Sequence, residues 1–200
     1  MNEPELLVSL QNPINLKLFW INLDLSQKVA KSNTDPSILR ASAFEVLNIF
    51  YPEPEWLRIF TDDPSCLMAL MQVPEFSTKF SFYLSVDRGS VFDGEIAAIR
   101  TALYQLPCHL EKFTRAVILS DSRAALLAII SDKYPISQDI LDCRHYLKTL
   151  ASLEKSIIPQ WVPACCGVPG NEKADFLAKK GAYHAEYFSS FAFPYCKGSY

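Results

Sequence analysis

The chain has 200 residues, 50% of them apolar and 20% charged, with a formal net charge of −3 at pH 7. Such a length holds one domain with an appendage, or two small domains, and enough apolar residue to build a core. The slight acidity argues against a strongly basic nucleic-acid binder, although charge alone does not forbid such binding. The first residues, MNEPELLVSLQNP, carry acids where a secretory leader would be basic, and no apolar run is long enough to cross a bilayer. An intracellular location, cytoplasmic or nuclear, with no membrane partner is the expectation. Cysteines 66, 108, 143, 165, 166 and 196 are scattered and form no CxxC pair, so free buried thiols are expected and a structural zinc site is not.

In chain order, the apolar segment INLKLFWINLDL and the polar KVAKSNTD precede Pro36. From Ser37 to Phe50 the positions Leu39, Ala43, Val46, Leu47 and Phe50 recur at three and four residues, which predicts an amphipathic helix. YPEPE (51–55) breaks it, because proline cannot continue a helix, and a domain boundary is placed there. Strands are predicted over WLRIFTD (56–62), LMALMQV (67–73) and KFSFYLSV (79–86). Ser90 opens a helix with capping-box spacing to Asp93 and a stripe of Phe92, Ile96, Ile99, Leu103 and Leu106, ended by Pro107. AVILSD (116–121) reads as a buried strand, SRAALLAII (122–130) as a helix, and 137–153 as another with Leu153 on its apolar side. IIPQWV (157–162) reads as a strand whose internal Pro159 puts it at a sheet edge. Asn171 is expected to cap a last helix, EKADFLAKKGA. The predicted organisation is an N-terminal extension over 1–55, a domain over 56–182 and a tail over 183–200. The fold expected is α/β, a mixed five-stranded sheet with its first three strands antiparallel, flanked by helices.

Four carboxylates stand out by position. Asp62 ends the first strand and Asp121 the fourth, and ligands collect at the carboxyl ends of adjacent strands in α/β sheets. Glu95 falls inside the apolar arc of its helix, where an unpartnered charge would be costly. Asp175 sits one turn into the last helix. Taken singly, each has a structural explanation as a turn former, a cap partner or an outward-reaching side chain. Together they point to a divalent cation, and oxygen-only ligation favours Mg²⁺ or Mn²⁺.

Several stretches resemble the type-1 ribonuclease H domain, especially the versions in non-LTR retrotransposon polyproteins. IFTDDPS (59–65) is similar to its first-strand TDGS motif, SVFDGEIAAIRTAL (90–103) to the helix carrying its glutamate, and ILSDSRAALLAI (118–129) to its DS-x-x-A segment. QWVPACCGVPGNEKADFLAKKGA (160–182) is similar to its terminal WIPSH and GNE-x-AD-x-LAK motifs. The resemblance covers 56–182 and implies hydrolysis of the RNA strand of RNA–DNA hybrids. It implies Asp62, Glu95, Asp121 and Asp175 as catalytic metal ligands, and two Mg²⁺ ions about 4 Å apart, replaceable by Mn²⁺, clamping the scissile phosphate. Ser122, Asn171 and Lys173 are the substrate-binding candidates, for a hybrid recognised through its shallow minor groove, its phosphates and its 2′-hydroxyls.

The pattern is broken in three places. Asp63 and Pro64 replace the motif's glycine and serine, adding bulk and charge where close backbone approach is usual. Cys165 stands where the family has a loop histidine, and a thiol cannot supply an imidazole's proton chemistry at neutral pH. The alternative reading is therefore a catalytically degenerate ribonuclease H-like module that binds nucleic acid. A 3′–5′ exonuclease on the same fold is disfavoured, because the first strand lacks the D-x-E pair that such enzymes use.

Overall fold

Asp35 accepts a hydrogen bond from the Ser37 N–H at 2.8 Å and Pro36 follows it, an opening suited to the first helix described, α1, Pro36–Glu45. In the computed structural model the described residues are 21–26, 33–62, 68–72, 80–82, 90–131, 133–172 and 174–176, with the side chains of 62, 68–72 and 80–82 excepted. Asp63, Pro64, Cys66, Lys173, Cys196 and the tail at 183–200 lie outside them. α1 widens into a π turn over Val46–Phe50. The wider turn shifts the phase of the apolar stripe. Leu39, Ala43, Val46 and Leu47 are buried, but Phe50, expected on the same stripe, is 55% exposed and Tyr51 takes its place at 2%. Tyr51 meets the Trp56 ring edge-on at 5.0 Å, and Arg58 donates to the carbonyls of Tyr51 and Leu47, closing the helix end.

The strands are β1, Trp56–Asp62; β2, Met68–Gln72; β3, Phe80–Phe82; β4, Arg115–Ser120; and β5, Ser156–Trp161. The helices between them are α2, Val91–Gln105; α3, Arg123–Ile130; and α4, Gln138–Ser152. The expectation of a five-stranded sheet with its first part antiparallel is corrected at the sheet's centre. The strands whose side chains build the core, β1, β4 and β5, form a three-stranded, all-parallel unit. The cause is the connections: α2 carries the chain from the β-hairpin side back to β4, and α3 with α4 carries it from β4 to β5, so each crossover returns to the same end of the sheet. β2 and β3 extend the backbone ladder antiparallel beyond β1, in the order β3-β2-β1-β4-β5. β4 is buried from Ala116 to Ser120, as a parallel strand covered on both faces must be. β5 is the outer strand, and Pro159 on it accepts from the Asn22 N–H while Trp161 donates to the Asn22 carbonyl.

Leu25, Leu39, Ala43, Val46, Leu47 and Tyr51, from before residue 55, belong to one buried cluster with the sheet residues and helices that follow it. Trp56, Arg58 and Phe60 alternate onto one face of β1. Tyr51 and Leu47 meet that face at Trp56 and Arg58, while Gly170 meets it at Phe60.

Helix ends are closed by side chains. Ser90 and Asp93 form the full reciprocal capping box of α2. The Ser90 backbone N–H, then its hydroxyl, hold the Asp93 carboxyl below its ordinary 3.8. A lowered folded-state value stabilises above the unfolded value and is lost as pH falls through the folded one. Acid unfolding below pH 3.8 should therefore be shallower in Asp93→Asn than in the parent, as followed by far-UV circular dichroism. Beyond α2, Pro107 does not stop the chain's helical course, which tightens into a 3₁₀ segment over Leu106–Lys112. In α4, Ile140, Cys143, Leu147 and Leu150 are buried, but Leu153 lies past the helix end and is exposed.

Arg144, also buried on α4, donates to the carbonyls of Ala128, Ile129 and Lys133 and so closes the end of α3. Arg144→Met would strand those acceptors, and a loss of about 3 kcal/mol in denaturant unfolding is expected. Burial pushes the Cys143 thiol far above its ordinary range. Cys143 and Cys165 are free thiols, whereas Cys108 is disulfide-bonded, which corrects the expectation of free thiols at that position. Among the described residues no helix is long and apolar enough to cross a membrane.

Candidate active site

The last paired residues of β1 and β4 are Thr61 and Ser120, and those of β4 and β5 are Ser120 and Trp161. Asp62 and Asp121 each follow their paired residue by one step. Their main chains therefore leave adjacent parallel strands at the same level, about 4.8 Å apart across the sheet. The Trp161 indole donates to the Asp121 carbonyl at 3.0 Å, pinning the main chain at this turn. Ser120 Oγ accepts the Ser122 N–H, and Ser122 Oγ accepts the Ala125 N–H to cap α3. Ser122, a substrate-binding candidate, is thus engaged first as a helix cap.

A small cleft of about 30 Å³ lies here, lined by Asp121, Ala164, Cys165, Asn171, Glu172 and Asp175. Asp121 and Asp175, predicted from distant segments, are brought together in it. Glu95 is 6% exposed on α2, the helix packed over β1 and β4, and does not line this cleft. Asp62 has the register described, and its side chain lies outside the described residues. Lys173 lies outside them as well.

Asn171 does not cap the last helix as expected. Helical residues begin at Pro169, whose fixed φ suits a first turn, and the Glu172 N–H returns to the Val168 carbonyl. That earlier start puts Asn171 inside the first turn, 3% exposed, with its Oδ1 buried and without a hydrogen-bond partner among the described residues. A buried carbonyl oxygen of this kind calls for a hydrogen-bond donor. Gly170 explains how the turn sits so close to the sheet: a Cβ there would lie 2.2 Å from the Phe60 ring. Gly170→Ala must displace either a buried phenyl ring or the helix that carries Asp175. The expected result is a loss of about 3 kcal/mol in stability, together with impaired cleft function, read from the unfolding midpoint and an activity assay on the same sample.

Sequence reasoning passed over three features of this site. Glu172, within the quoted GNE motif, lines the cleft and accepts the Gly167 N–H at 2.9 Å. At Cys165, a position that the sequence does single out, the missed feature is the left-handed φ of 55°. The third is the segment around Asn22, tied to the site by an Arg123 side chain that stacks over the Trp161 ring at 4.1 Å. The same Arg123 donates to the Leu23 carbonyl and pairs with Asp24 at 3.2 Å. Nothing in local periodicity signals a contact across so much chain.

The donor chemistry suits a hard cation. Asp121, Glu172 and Asp175 offer carboxylate oxygens in one cleft, and such acids repel one another unless a cation lies among them. Among the described residues, no group of three or more His, Cys, Asp or Glu side chains is gathered tightly enough to hold a metal. The four-ligand convergence expected from the motifs therefore extends, in the described part, to the pair Asp121 and Asp175. No protein-family model matches the chain, and no curated protein matches it.

Proposed function

We propose that the chain is a metal-dependent endoribonuclease of the ribonuclease H type, hydrolysing the RNA strand of RNA–DNA hybrids and derived from a retroelement. The observation that carries this reading is the meeting of Asp121 and Asp175 in one cleft at the carboxyl end of the parallel strands, beside the buried Oδ1 of Asn171. Asp121 and Asp175, joined by Asp62 and Glu95 as the motifs imply, would hold Mg²⁺, or Mn²⁺ in its place. Bound there, the ions supply charge neutralisation at the scissile phosphate and an activated water. The chain's own residues do the positioning. Trp161 fixes the Asp121 main chain, and Gly170 lets the Asp175 helix approach the sheet. The Asn171 Oδ1 accepts a hydrogen bond from a ribose 2′-hydroxyl, the group that distinguishes an RNA strand from DNA.

The test is incubation of the folded chain with a body-labelled RNA–DNA hybrid in millimolar Mg²⁺ or Mn²⁺. Internal cuts confined to the RNA strand are expected, with duplex DNA intact. An uncut hybrid contradicts the nuclease reading. A second reading, a degenerate module that binds hybrids without cutting them, draws on Cys165 at the cleft rim, where the resembled family carries a histidine. It predicts hybrid retention in a gel shift with no products in either metal.

A further inference from the structure

The cleft's acidity raises a question that its own residues leave open: what receives the phosphates flanking the cut? A polyanion approaching Asp121, Glu172 and Asp175 needs fixed cations close by, since carboxylates alone repel it. The segment before residue 55, outside the stretch in which the motifs occur, provides one. Arg40, on the exposed side of α1, lies across the loop that leads into the cleft-bearing helix. Its Nε is 3.3 Å, and its Cζ 3.4 Å, from where a Cβ of Gly167 would be. Gly167 has a φ of 76°, and having no side chain it leaves room for the Arg40 side chain close to the loop. The Gly167 N–H is held by Glu172, one of the cleft's own lining residues. Arg40 also packs over the Phe44 ring at 5.6 Å, which fixes its stem. Among the described residues no carboxylate forms an ion pair with it, in contrast to Arg58, Arg100, Arg115 and Arg123. A positioned guanidinium with donors to spare, one loop away from the carboxylates, has the geometry of a phosphate contact.

We infer that Arg40 binds a backbone phosphate of the nucleic acid, so that α1 supplies part of the substrate-binding surface. This rests on the nuclease reading above. The experiment is fluorescence anisotropy with a labelled RNA–DNA hybrid in Ca²⁺, over a series of salt concentrations, comparing the full chain with Arg40→Gln, Arg40→Lys and Arg115→Ala. Arg115 is the charge control: it begins β4, at the end of that strand opposite Asp121, roughly 20 Å away. Arg40→Gln should weaken binding about tenfold and reduce the slope of log affinity against log salt by about one. Arg40→Lys should recover most of the slope but less of the affinity, and Arg115→Ala should stay within about twofold of the parent. Thermal unfolding of each variant separates a binding loss from a packing loss. If Arg40→Gln, with its melting point kept, binds with the parent's affinity and salt slope, the inference is overturned while the nuclease reading stands. If Arg40→Gln unfolds, Arg40→Lys decides: full parental affinity there would contradict a contact that depends on the positioned guanidinium and overturn the inference. A parent chain that fails to bind the hybrid removes both.

Discussion

Asp121→Asn should abolish metal-dependent cleavage of the hybrid while leaving the fold in place. Asparagine keeps the shape of the side chain but removes the charge that a divalent cation requires. Changes to residues that only support a metal ligand cost about 10–100-fold in affinity or activity. Loss of a ligand itself should exceed that, so a fall of more than about 100-fold is expected. The fold should survive because a main-chain contact anchors this turn, the Asp121 carbonyl accepting from the Trp161 indole. Asp175→Asn should behave alike, since the same cleft contains it. Cleavage at an undiminished rate by either variant, with metal present, would remove those acids from the reaction.

Deleting residues 1–55 should unfold the remainder, although every motif that resembles the ribonuclease H family lies beyond them. Leu39, Ala43, Val46, Leu47 and Tyr51 are all buried within the same cluster as β1, β4 and β5. Each large side chain among them contributes on the order of 2 kcal/mol by burial. Their sum approaches the whole stability of an ordinary domain, about 5–15 kcal/mol. The deletion also uncovers Trp56 and takes away the Asn22 main-chain pairing along β5. The truncated chain should be insoluble or lack a cooperative unfolding transition, whereas removal of residues 1–20 should leave these described contacts intact. A folded, cooperative 56–200 fragment would show that α1 merely rests on the sheet.

These two expectations mark where local sequence logic was sufficient and where it was not. WLRIFTD ends as a strand at Asp62, and Ser90 caps the helix that follows it, because strand alternation and capping are written in neighbouring residues. Phe50 was misplaced because a π turn changes the helical phase, and no residue spacing announces one. Asparagine favours the cap position expected for Asn171, yet Pro169 starts the helix earlier and carries the amide into the cleft wall. The parallel centre of the sheet follows from how the crossovers pack, and strand patterns record that only indirectly. The packing role of the segment before residue 55 is illegible for the same reason: Gln160 donates to Asp24 and accepts from Tyr51 across more than a hundred residues. Of the site itself, the choice of Asp121 and Asp175 came from motif positions, while Glu172, Gly170 and Arg40 emerge only from the packing.

The central claim is that the strand-end carboxylates form a divalent-metal site, and titrating Mn²⁺ into the full chain, with the free ion followed by electron paramagnetic resonance, tests it most directly. The parent chain should take up two ions saturably, and Asp121→Asn should lose at least one of them with its unfolding transition unchanged. Uptake that is absent from the parent, or identical in the two proteins, would contradict the account.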